Sequence, residues 1–147
     1  MKTFARWALG AAAMVMALPA LAQDKLKVAV GQRGVWENSV SELGQDAGIF
    51  KKHGLMLEVL YTQGGGETQQ AVISGSVDIG IGVGTHGVMG AYSKGAPVRI
   101  LGATMRGYYE FWYVPSDSPI KTMKDADGKT IAYSTTGSST QIMTIAF

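Results

Sequence analysis

The sequence predicts an α/β fold, a mostly parallel sheet flanked by helices. Three observations carry this. Short apolar runs with strand-like alternation take turns with stretches of helical periodicity, glycine stands at most of the junctions, and the connections are long enough to cross over and pair strands in parallel. With 46 % hydrophobic residues and no cysteine, the chain must rely on an apolar core, with no disulfide, thiolate metal site or cysteine nucleophile available.

The first 22 residues are set aside from the fold. Lys2 and Arg6 precede an apolar run from Trp7 to Leu18, followed by Pro19 and the small residues Ala20 and Ala22. That order is the pattern of a secretory signal peptide cleaved before Gln23, and the run is too short to span a bilayer. A periplasmic location is expected, with no lipid-modified cysteine to anchor the chain to a membrane. The net charge of +2 comes from 13 basic and 11 acidic residues, and it vanishes once Lys2 and Arg6 are removed. No clustered basic face remains to suggest a nucleic acid partner.

The mature chain then reads element by element. Residues 26–30 alternate into Gly31 as a first strand. Ser39 and Glu42 have the spacing of a capping box, and Val40, Leu43, Ala47 and Phe50 continue it as one helix over 39–53. Residues 55–62 are a second strand, Gly64, Gly65 and Gly66 turn into a helix over 67–74, and 77–83 are a third strand. Thr85 opens a helix that runs to Ser93 and is stopped by Gly95 and Pro97. Residues 98–104 and 109–114 read as extended, 122–127 as a short helix, 129–134 as a further strand, and 138 onward as a helix. The pattern restarts after Pro115 and Pro119, which divides the chain into 23–115 and 116–147. The last helix has no capping signal at its end, so the second unit is expected to be truncated.

Several segments resemble one family: Glu42-Leu43-Gly44, Gly48-Ile49-Phe50 through Gly54-Leu55, Ser74-Gly75-Ser76-Val77-Asp78-Ile79-Gly80, Lys94-Gly95-Ala96-Pro97-Val98, and 125–132 followed by Gly137-Ser138-Ser139. In this order and spacing they are similar to the nitrate, sulfonate and taurine type of solute-binding protein of ABC importers, a group that also includes thiamine-pyrimidine binders. The resemblance implies a periplasmic binding protein type II-like architecture, two lobes closing on a ligand, with a returning C-terminal segment that completes the first lobe. It implies a small-molecule solute and the membrane subunits of an ABC importer as partners, a monomer, and no cofactor. Fungal thiamine-pyrimidine synthases, which consume their own histidine, share the fold and supply an enzymatic alternative. The effector domain of a transcription regulator would need a DNA-binding region in place of the export signal.

In an open parallel sheet, ligands bind beyond the carboxyl ends of the strands. Three loops meet that condition. The first offers Gln32 and Trp36, with Arg33 a weaker candidate that a solvated loop arginine explains equally well. The second offers Gly84, Thr85 and His86, and the third Ser134, Gly137, Ser138, Ser139 and Thr140. The latter two lead into helix starts, where unpaired N–H groups and the helix dipole favour an anion. Trp36 is expected as an apolar wall, Thr85 and Ser138 or Ser139 as N-caps with hydroxyls facing the ligand. Residues 82–87 also match G-x-G-x-x-G. They lie in the third βα unit, with no acid near the end of the next strand, which weighs against a dinucleotide enzyme. No metal site is expected.

Overall fold

A computed structural model describes residues 23–107 and 110–146. The expected signal peptide and the two tyrosines at 108 and 109 lie outside the described residues. Three strands, β1 (Asp24–Gly31), β2 (Leu55–Thr62) and β3 (Ile79–Ile81), form a parallel sheet in the order β2-β1-β3. β1 pairs with β2 from Asp24↔Leu55 to Gly31↔Thr62, and with β3 from Val28↔Ile79 to Val30↔Ile81.

The central strand shows why the sheet is covered on both sides. Val28, Ala29 and Val30 are each at most 2 % exposed, and successive strand residues face opposite ways. On one face Val28 and Val30 join Leu57, packed by Phe50, Val59 and Tyr61. On the other, Ala29 pairs with Gly80. A Cβ on Gly80 would come within 2.9 Å of Val72 and 3.0 Å of Thr68. That small pair lets α3 (Gly65–Ile73) lie close on the sheet, with Thr68 fully buried.

The predicted helix over 39–53 is two helices, α1 (Val40–Asp46) and α2 (Ile49–Lys52). Gly48 separates them with φ of 67°, a left-handed conformation in which a helix cannot continue. The expected capping box at Ser39 and Glu42 is absent: Ser39 is itself helical, and its hydroxyl donates to the Trp36 carbonyl at 2.6 Å in the 3₁₀ turn Trp36–Asn38. A capping box forms instead at Thr122 and Asp125, on a second 3₁₀ turn, Met123–Ala126.

α4 spans Thr85–Ser93 and α5 spans Ser139–Ala146. Among the described residues, none of the stretches 98–104, 110–114 and 129–134 is a strand. Their sequences have strand character, but a strand exists only with a ladder partner, and these stretches have none. Val98 is buried, whereas Leu101 is 82 % and Tyr113 92 % exposed.

Candidate binding site

The carboxyl ends of β1 and β3 open into a cleft of about 1300 Å3. Its walls come from the loop after β1, the strand β3 and its following loop, the start of α4, residues 98–105, and the approach to α5. Gln32, Gly84, Thr85, Ser134, Ser138, Ser139 and Thr140 all line it. Trp36, His86 and Gly137 are not among the lining residues. Trp36 starts the 3₁₀ turn 81 % exposed, so it builds no wall. Arg33 stacks over the Tyr61 ring at 4.2 Å, a cation–π contact that occupies its guanidinium outside the cleft.

Glycines allow three helix starts to meet. A Cβ on Gly84 would lie 2.6 Å from the Ser139 amide nitrogen, and one on Gly66 would overlap the Thr136 carbonyl. The Gly66 amide donates to Thr135 Oγ1 at 3.0 Å. The starts of α3, α4 and α5 are therefore brought together at residues 64–66, 84–87 and 134–139. The sequence identifies the last two; for the first, the run Gly64-Gly65-Gly66 before a helix is the available signal, and by itself it implies only a turn.

The hydroxyls divide by role. Ser138 caps α5, its Oγ accepting from the Gln141 amide at 3.2 Å, and Thr140 Oγ1 sits 2.9 Å from Ser138 Oγ and 3.0 Å from Ser134 Oγ. Gly84, not Thr85, is the N-cap of α4, with no side-chain cap. Thr85 is in the first turn, its hydroxyl not engaged in capping. Gln32 has φ of 54°, an uncommon backbone state for a residue with a Cβ. The G-x-G-x-x-G match does follow a strand and open a helix. However, the close approach to Gly84 and Gly87 that a pyrophosphate needs is filled by Gly137 and Ser139.

Sequence reasoning missed three cleft residues. Asn38 is buried, its Nδ2 donating to the Gly31 carbonyl and its Oδ1 lying against Gly82. Gln69 lines the cleft with its Oε1 shut off from solvent and without a donor. Glu110 accepts the Ser139 hydroxyl at 2.7 Å. Each of these contacts joins positions far apart in the chain or depends on a loop shape, and none leaves a local sequence pattern.

Residues 42–146 match the model of the family described as NMT1/THI5 like. The chain belongs to the NMT1/THI5-like family. This family includes solute-binding proteins of ABC systems and thiamine-pyrimidine synthases, and the α/β architecture with its parallel sheet agrees with NMT1/THI5-like membership. No curated protein and no solved structure matches the chain significantly. Among the described residues, no helix is long and apolar enough to cross a membrane, and no group of three or more His, Cys, Asp or Glu side chains could hold a metal ion.

Proposed function

We propose that this protein is an extracytoplasmic solute-binding protein that captures a small anion of the sulfonate, taurine or nitrate class for an ABC importer. It acts as a monomer in the periplasm after removal of residues 1–22. The observation that carries the reading is the convergence of the α4 and α5 starts on a cleft at the carboxyl ends of β1 and β3. Helix starts present N–H groups with no intrahelical acceptor and a partial positive charge, the complement of a small anion. The synthase alternative would spend a histidine. Neither His53, at the end of α2, nor His86 is among the cleft-lining residues, which favours capture over turnover.

The test is a thermal-shift and calorimetric screen of the protein against nitrate, alkylsulfonates, carboxylates and aminopyrimidines. A solute at 100 times its Kd stabilises the folded state by about 2.7 kcal/mol. Saturable binding of one class with unchanged protein mass is expected. No stabilisation by any of them, or loss of a histidine from the intact mass, overturns the reading.

A further inference from the structure

Helix starts attract any anion, so the starts of α4 and α5 do not by themselves separate one oxyanion from another. The side chains around them differ in what they add. The charged residues lining the cleft are Glu37, Asp78, Glu110 and Arg99. Asp78 stands at the amino end of β3, away from the helix starts, and accepts the Lys27 amide at 2.8 Å. Glu37 belongs to the 3₁₀ turn after β1. Of these four, Glu110 is the one bonded at a helix start, its Oε1 accepting the Ser139 hydroxyl at 2.7 Å in the first turn of α5. That distance is in the range of a charge-assisted O–H···O bond.

The two helix starts are therefore electrostatically unequal. A helix start offers about half an elementary charge, and the Glu110 carboxylate brings a full one, so the α5 start is already overcompensated. The α4 start has no side-chain cap and no acidic residue in its first turn, which leaves its positive end for the solute. The two starts touch, since a Cβ on Gly84 would lie 2.6 Å from the Ser139 amide nitrogen. One negative charge on a solute can settle at α4, but a second comes under the field of the Glu110 carboxylate, where like charges repel. No hydrogen bond offsets that repulsion, because a carboxylate accepts only and a fully deprotonated oxyanion has no proton to give.

We infer that Glu110 is the specificity-determining residue of the cleft, a charge filter that admits solutes with one negative charge and turns away dianions. This rests on the solute-binding reading above. That reading names a class of anions; the Glu110 carboxylate is what keeps sulfate and dicarboxylates, which helix starts alone would also attract, out of the same cleft.

The test uses matched probes in calorimetry on the full chain: methanesulfonate against sulfate, and succinamate against succinate, each pair differing by one negative charge. The monoanion of at least one pair should bind tenfold tighter or more. Glu110→Gln keeps an acceptor for the Ser139 hydroxyl and should cut that preference at least fivefold, by tightening the dianion. Glu110→Asp, which restores the charge, should keep the preference, whereas a merely structural role would weaken both members of a pair alike. Should Glu110→Gln fail to fold, the matched pairs on the unmodified chain still decide. A dianion that binds as tightly as its monoanion in both pairs, or a preference that survives Glu110→Gln unchanged, overturns this inference and leaves the binding-protein reading intact. No binding by any of the four probes also overturns it, and the wider solute screen then decides the binding-protein reading separately.

Discussion

The two edges of the sheet are finished in opposite ways. On the β2 side, eight residues are paired to β1, Gln45 Oε1 accepts the Leu57 amide at 2.8 Å, and α1 and α2 pack alongside. On the β3 side, three residues are paired, and the outer edge faces the cleft and the strandless stretch 98–105. An exposed strand edge is a template for pairing and a hazard for aggregation. The closed edge builds the fold, and the open one supplies a wall with unspent hydrogen-bonding capacity.

The sharpest way to break this contrast is to remove the strand both edges share. Val30→Asp places an unpaired carboxylate where Val30 is 1 % exposed. Its expected cost is about 3–5 kcal/mol, enough to abolish the cooperative transition in a thermal melt followed by circular dichroism. A sharp melt within a few degrees of the wild type would show that β1 is not the common support.

Next in size is Gly66→Ala, because the new methyl overlaps the Thr136 carbonyl. Overpacking of this kind costs about 1–3 kcal/mol and should loosen residues 134–139 from α3. Gly90→Ala is the control, since nothing lies within 4 Å of its Cβ position in α4, and it should stabilise by about 0.5–1 kcal/mol. Chemical denaturation of both variants reads the difference; the same sign for the two would contradict the close approach.

Gln45→Leu removes the acceptor for the Leu57 amide and should cost about 1 kcal/mol. If the closed edge owes its solubility to that cover, light scattering during heating should begin at lower temperature than for a substitution at exposed Leu101.

The smallest effect belongs to the capping box beyond the open edge. Asp125 accepts from the Lys121 amide at 3.0 Å, the Thr122 hydroxyl at 2.9 Å and the Thr122 amide at 2.8 Å. The Lys121 amide first, and then both Thr122 donors, hold its pKa below the ordinary 3.8. A depressed carboxylate pKa stabilises the folded state above the unfolded value, and that contribution is lost as pH falls below about 4. Titration of Asp125 by NMR should give a midpoint below the ordinary carboxylate value, returning toward it in Thr122→Ala.

How much of this was legible follows the same edges. Residues 26–31, 55–62 and 85–93 were readable because local periodicity and junction glycines agree with what packs them, and α4 begins and ends where predicted. The predicted single helix over 39–53 is two helices because Ala47-Gly48 keeps the apolar spacing while a left-handed turn at Gly48 interrupts the backbone. Residues 98–104 carry strand composition, but pairing is a property of two segments and composition describes one. In the cleft, the helix starts were visible as strand-to-helix junctions, although only Ser138 proved to be a side-chain cap. Asn38, Gln69 and Glu110 were not, since a carboxamide or carboxylate gains its role from a partner 7, 18 or 29 residues away.

The unequal lengths of the two β1 ladders also set the order in which the molecule comes apart. Closing the longer loop to β3 adds little entropy cost, about 0.6 kcal/mol per doubling of length, so the number of ladder bonds decides. β3, with Ile79, Gly80 and Ile81 paired against eight positions for β2, is the weaker attachment and opens first by local unfolding. In amide hydrogen exchange, Ile79–Ile81 should lose protection well before Val28 and Val59. The wall of the cleft is then the more easily released edge of the sheet, and on the proposed binding reading a solute seated against it would act as a clamp on that edge.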